Sequence, residues 1–304
     1  MVFFAIATSS FIGFGLTGKV LNGFEMFGLN EAQRKIMLTR SVNPKYEQCY
    51  TAGLDYRKPS DACTYHVSDP DWVVLGNSHG IELAYALAEK LKAFDTGVKH
   101  LTFNGCPPSF GRVVGVDGCS AWTQEAVDYI AHNDRLSHVV ISYKTYLADV
   151  VRSRPSADDF RPANDAGRSK IWKSYVDTVK YLVAAKKNVI VVMQAPQLPK
   201  HVQAYIAAEP YDFTWVGALS RSQWDRSSAF ILSRLGDLPK AATIINPAEF
   251  FCNQMTCAAV RNNIALYRDD QHMSVAGAEV IAAEIIRRTL GSPGRQTLGA
   301  AGEQ

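Results

Sequence analysis

The feature that most constrains this chain is Trp72-Val73-Val74-Leu75, an unbroken apolar run that stops at Gly76-Asn77-Ser78-His79. A helical pattern follows at once, with Leu83, Leu87 and Leu91 at four-residue spacing. An apolar run without alternation reads as a strand buried on both faces, and such strands belong to parallel sheets covered by helices. The turn from the carboxyl end of that strand into a helix is where open α/β sheets hold ligands and nucleophiles. Ser78 stands on this turn.

From Asp71 onward the predicted elements alternate. Further strands are expected over Val98 to Phe103, His138 to Ser142, Asn188 to Met193 and Ala242 to Ile245. Helices are expected around Thr123 to Ala131, Arg168 to Ala185 and Ser220 to Arg234. The pattern predicts a three-layer α/β/α fold with a parallel sheet of about five strands. Ser274 is the expected N-cap of a last helix, Val275 to Leu290, which Gly291 and Pro293 end. A hydrophobic fraction of 47% over 304 residues suits one large domain with extra segments. The net charge of +3 comes from scattered lysines and arginines, so no nucleic-acid footprint is present. His66, His100, His132, His138 and His201 show no metal-ligand spacing, and no bound metal or cofactor is expected.

Far downstream lies Asp269-Asp270-Gln271-His272. Alone, Ser78 fits a helix N-cap and His272 a surface histidine. Jointly they read as a serine acyl-transfer site, because an imidazole turns an inert hydroxyl into a nucleophile and a carboxylate orients the imidazole. A loop residue three before the histidine can fold back onto Nδ1–H, leaving Nε2 to face the serine. Asp270 is the competing carboxylate. His79 would point along the new helix, in a structural or substrate-facing role.

These residues, with Val98 to Phe103 running into Asn104-Gly105-Cys106-Pro107-Pro108 and with Leu266-Tyr267-Arg268 leading into Asp269, resemble the SGNH (GDSL-like) hydrolases. The closer resemblance is to the extracytoplasmic SGNH domains attached to membrane acyltransferases of the acyltransferase-three type, which modify surface polysaccharides. It runs from about Asp71 to Leu290. It implies a flavodoxin-like SGNH fold, Ser78, His272 and Asp269 as the catalytic residues, and an oxyanion hole built on the N–H groups of Ser78 and Gly105. It also selects Asp269 over Asp270.

Two positions depart from the family pattern. Asn77 stands where aspartate is usual, so an amide must brace the turn. After the strand Val139-Val140-Ile141 the family's oxyanion-hole asparagine is missing; Ser142-Tyr143-Lys144-Thr145 stands there, which makes Ser142 or Lys144 the candidate for a third donor. Losing one such donor costs roughly a hundredfold or more in rate.

Six cysteines fall into close pairs along the chain: Cys49 with Cys63, Cys106 with Cys119, Cys252 with Cys257. In an oxidising compartment these neighbours form three local disulfides, although other pairings are open. Six buried thiols in a cytosolic protein fit the composition equally well; the apolar N-terminus favours the periplasm or cell exterior. Val2 to Leu16 carries no charge, against the roughly 20 residues of a full span. A signal peptide and a buried helix are the alternatives to a membrane segment there. With the resemblance, the expected organisation is a transmembrane segment over 1–18, read as the last helix of a membrane unit and truncated at its start, then a connector over 19–70. An SGNH domain over 71–291 and a disordered tail over 292–304 follow. Within the connector Glu31 to Thr39 is a helical candidate, and the rest, with Asn43-Pro44, Lys58-Pro59 and Asp69-Pro70, reads as loop.

The expected activity is O-acyl transfer, acetyl above all, onto hydroxyls of a surface glycan, through an acyl-enzyme on Ser78. A membrane acyltransferase domain is the expected partner, carrying acyl groups from cytoplasmic acetyl-CoA, which places the domain on the periplasmic side of a bacterial inner membrane. A carbohydrate esterase of the same type is the second reading. A catalytically weak glycan-binding module is the third.

Overall fold

The computed structural model describes residues 28–145 and 165–291. The membrane segment expected over 1–18 and the tail expected over 292–304 lie outside the described residues. Among the described residues no helix is long and apolar enough to cross a membrane.

The chain begins with α1 (Glu31–Leu38), the one-turn α2 (Tyr46–Cys49) and β1 (Thr64–Tyr65). Then come β2 (Trp72–Gly76), α3 (Ile81–Leu91), β3 (Val98–Thr102), α4 (Cys119–His132), β4 (His138–Ser142), α5 (Asp165–Ala184) and β5 (Asn188–Val192). The remainder is α6 (Val202–Ala208), β6 (Trp215–Ser220), α7 (Arg221–Leu232), β7 (Thr243–Ile245), α8 (Ala248–Phe251), β8 (Thr256–Arg261), β9 (Ile264–Ala265) and α9 (Val275–Thr289).

The main sheet has six strands in the order β1-β3-β2-β4-β5-β7. Five of them are parallel, in the order of a flavodoxin-like sheet, whose switch point lies beside the first strand of the series, here β2. The expected all-parallel sheet of about five strands is therefore corrected by one: β1, from the connector, adds an antiparallel edge, pairing Thr64 with Lys99 and Tyr65 with Val98. The registers align Thr102, Gly76, Ser142, Val192 and Ile245 along the carboxyl edge.

All of β2 is buried, and its residues serve two cores. Trp72 and Val74 pack with Leu83, Leu87 and Leu91 of α3 and with Ile281 and Ile285 of α9, while Val73 and Leu75 pack with Trp122, Val127, Val176 and Val179 of α4 and α5. Alternate residues of one strand thus bury against opposite helical layers, which is the physical content of its non-alternating sequence. At roughly 1.5–3 kcal/mol per fully buried large apolar side chain, these two layers fix the strand that carries Ser78.

A second, three-stranded antiparallel sheet, β6-β8-β9, was not expected. Its β8–β9 turn is Asn262-Asn263, both with positive φ (51° and 62°), the requirement of a tight two-residue hairpin. The segment between α1 and β2 also departs from a plain loop, since it carries α2 and β1 and is bonded into the domain. His100 N–H donates to Cys63 O, Asn104 N–H to Thr51 O and Val275 N–H to Ser41 O. Three disulfides, Cys49–Cys63, Cys106–Cys119 and Cys252–Cys257, join the sequence neighbours.

Candidate active site

The turn after β2 is built by two residues around Ser78. Gly76 admits no side chain, because a Cβ there would lie 1.9 Å from the Ser142 carbonyl oxygen of β4. Asn77 then uses its whole hydrogen-bonding capacity: Oδ1 accepts from His79 N–H at 3.2 Å and Lys144 N–H at 2.9 Å. Its Nδ2 donates to Cys106 O at 3.0 Å and Lys144 O at 3.2 Å. One amide thus ties the nucleophile turn to the loops after β3 and β4. A carboxylate could accept the first pair and could not donate the second, which gives this asparagine its own physical rationale.

The serine hydroxyl meets its partners at the carboxyl edge. His272 Nε2 lies 2.9 Å from Ser78 Oγ, and His272 Nδ1 lies 2.6 Å from Asp269 Oδ2. The other carboxylate oxygen, Oδ1, accepts the backbone N–H groups of Gln271 and His272 at 2.8 and 2.7 Å. The loop is closed at its base by the Tyr267–Met273 bridge and the bond from Arg268 N–H to His272 O, and Ser274 caps α9 by accepting from Gly277 N–H. Burial pushes the Asp269 carboxyl up, but the hydrogen bonds and charge of His272 with the two N–H donors overcome this and hold it well below the usual carboxylate range. Asp270 faces the other way, accepting from Gln197 Nε2 at 3.3 Å.

Gly105 has φ +74°, a conformation that favours glycine, and is exposed on the loop after β3. Among the described residues neither its N–H nor that of Ser78 has a protein acceptor. The next residue, Cys106, is held by Asn77 and by its disulfide to the first residue of α4. Of the two side chains expected near this point, Ser142 donates its single proton to His79 O at 3.3 Å, inside the turn. Lys144 Nζ donates to Gln271 Oε1 at 2.5 Å, beside the histidine loop.

Residues around the relay support this constellation, His79 among them in the structural role expected of it and Glu82 one that the sequence reading did not single out. His79 is buried and packs its ring against that of His272. Burial, with the neighbouring His272 and Lys144, pushes its pKa well below the ordinary value, so it stays a neutral wall. Glu82, on α3, is buried opposite Arg268, with Oε1 3.3 Å from Nε. Burial raises the pKa of Glu82 against the pull of Arg268. The pair joins the helix behind the nucleophile to the residue before Asp269; a charged residue amid the apolar face of Ile81, Leu83, Ala84 and Leu87 was the available signal. Trp122 is core, packed on Phe103.

No curated protein matches the chain by sequence. Among solved structures, the periplasmic domain of a lipopolysaccharide acetyltransferase from Salmonella ser. Paratyphi A is similar with a TM-score of 0.57 and 15% identity, over 90% of this chain and 98% of that one. A putative acylhydrolase from Bacteroides fragilis is similar with a TM-score of 0.40 and 12% identity, over 86% of this chain and 99% of that one. A carbohydrate acetylesterase family member from Sinorhizobium meliloti gives 0.40 and 12%, over 73% and 100%. The model of the SGNH domain fused to AT3 domains matches residues 48–287, from the end of α2 into the last helix. A match over that much of the fold means that the chain belongs to this family of SGNH domains.

Proposed function

We propose that this domain is a serine O-acyltransferase, transferring acetyl to hydroxyls of a cell-surface glycan. The observation that carries the reading is the continuous chain Asp269–His272–Ser78, with separations of 2.6 and 2.9 Å. Ser78 Oγ attacks the acyl carbonyl while His272 Nε2 takes its proton, and the N–H groups of Ser78 and Gly105 receive the oxyanion. The donor's leaving group takes the proton back from His272. In the second half a sugar hydroxyl attacks the acyl-serine, gives its proton to His272 Nε2, and Ser78 Oγ leaves with that proton. Asp269 stays ionised and stabilises the imidazolium in both halves.

Membership of a family fused to AT3 domains supports a membrane acyltransferase partner that supplies acyl groups from cytoplasmic acetyl-CoA, with this domain on the periplasmic side. Three disulfides support an oxidising compartment. Water in place of the sugar would make the same site an esterase. A purely glycan-binding role is disfavoured, since it gives no reason for the assembled relay.

Ser78→Ala tests the reading: it should abolish glycan acetylation in cells and turnover of p-nitrophenyl acetate by the purified protein. Wild-type glycan acetylation by Ser78→Ala would make the serine architectural and overturn the reading.

A further inference from the structure

We propose that Tyr46, Tyr50 and Asn104 form the acceptor subsite, which holds a neutral pyranose ring beside the acyl group on Ser78. The inference rests on the acyl-transfer reading above and assigns its second substrate a place.

The geometry begins with α2. Tyr46 and Tyr50, four residues apart, fall on one face of the turn, with ring centroids 6.0 Å apart and planes tilted by 46°. At one end the Tyr46 ring lies 5.4 Å from the guanidinium carbon of Arg268, the residue before Asp269. At the other, Asn104 Nδ2 donates to Tyr50 Oη at 3.1 Å, and Asn104 is the residue before Gly105. The ring pair therefore spans from the loop that supplies the base to the loop that supplies the oxyanion donor. Cys49–Cys63 and the bond from Asn104 N–H to Thr51 O hold this turn against the sheet.

Its chemistry fits a sugar. Tyr50 is 42% exposed although its hydroxyl is engaged, so an aromatic residue beside Asn104 is open to solvent. Tyr50 Oη fixes the amide of Asn104, and among the described residues Asn104 Oδ1 accepts no hydrogen bond. A pyranose presents an apolar C–H face rimmed by hydroxyls: the face suits a tyrosine ring and a rim hydroxyl suits the amide oxygen. An acyl chain would use the ring and leave the amide oxygen unmatched.

The test measures how the acyl-enzyme partitions between water and sugar. The purified domain is given p-nitrophenyl acetate with methyl hexopyranosides of gluco, galacto and manno configuration; p-nitrophenol, acetate and acetylated sugar are quantified. Tyr50→Ala and Asn104→Ala should lower the ratio of acetyl-sugar to acetate about tenfold, roughly 1.4 kcal/mol. Tyr50→Phe, which keeps the ring, should lower it less. Because it is a ratio, the partition is read independently of the acylation rate, and fluorophosphonate labelling of Ser78 in each variant reports the acylating half separately. Unchanged partition in both alanine variants would overturn the subsite while leaving the acyl-enzyme intact, as would a wild-type domain that turns over the ester and acetylates none of the three sugars. Loss of labelling in the wild type would instead overturn the acyl-transfer reading and the subsite with it.

Discussion

The imidazole of His79 packs on that of His272 with ring centroids 4.6 Å apart, and its own Nε2 is buried without a hydrogen-bond partner among the described residues. A buried ring in that position limits the orientations of His272, and its depressed pKa keeps a second charge away from the imidazolium that forms during catalysis. His79→Phe should therefore retain kcat/KM for p-nitrophenyl acetate within about threefold, with the acid limb of the pH–rate profile unmoved. His79→Ala removes the wall and should cost about tenfold or more. A displaced acid limb in His79→Phe would show that His79 itself titrates in the working range.

Asp269 carries two duties that a substitution separates. Asp269→Asn keeps an oxygen for the N–H groups of Gln271 and His272 but turns an N–H towards Nδ1, which holds the imidazole in the tautomer with its proton on Nε2. It should lower kcat by about a hundredfold or more, and His272→Ala should lower it about tenfold further, because the imidazole moves the proton that the carboxylate only stabilises. Equal losses would contradict that division of labour; steady-state kinetics on a small ester decides it.

How far the site could be read from the chain depends on how local each signal is. The strand-end serine, the Asp-x-x-His spacing and the five parallel strands are written in contiguous stretches, where apolar runs, glycine turns and caps act within a few residues. What escaped was non-local. Two-residue β1 exists because the connector's Cys63 and Tyr65 lie along β3, and Thr64–Tyr65 alone is too short to carry a period. The β6–β8 pairing joins segments some forty residues apart. His79, Glu82 and Arg268 look like ordinary polar residues until the turn and the last loop are packed together. Asn77 was legible as a departure, but its four hydrogen bonds appear only when three loops meet.

Acid should weaken the fold through His100. Its ring is buried between Tyr65 Oη and Thr102 Oγ1, at 3.0 and 2.7 Å, and burial lowers its pKa to about 4. The unfolded chain, with an ordinary value of about 6.5, then binds the proton more tightly, so stability is complete above pH 7 and declines as pH falls from about 6.5 towards 4. The loss is about 3 kcal/mol by pH 4 from this group. Urea midpoints across that range should show the decline, and His100→Gln, although less stable at pH 7, should show a flatter one. A decline of equal steepness in His100→Gln would place the acid sensitivity elsewhere.

The disulfides link compartment to catalysis. Protein taken from its native compartment, unfolded without reductant and alkylated, should show no modified cysteine. Cys106→Ser with Cys119→Ser should cost about 2–4 kcal/mol of stability, and should reduce acyl transfer beyond that, since Cys106 positions the loop of Gly105. Six alkylated cysteines would contradict an extracytoplasmic setting.

The central claim is that Ser78 is an activated nucleophile. Incubation of the folded domain with a fluorophosphonate, followed by digestion and peptide mass spectrometry, tests it most directly, because only a serine whose proton His272 can remove reacts. The account predicts one phosphonate per chain, located on Ser78 and absent from His272→Ala. An unlabelled Ser78, or labelling that persists unchanged in His272→Ala, would contradict it.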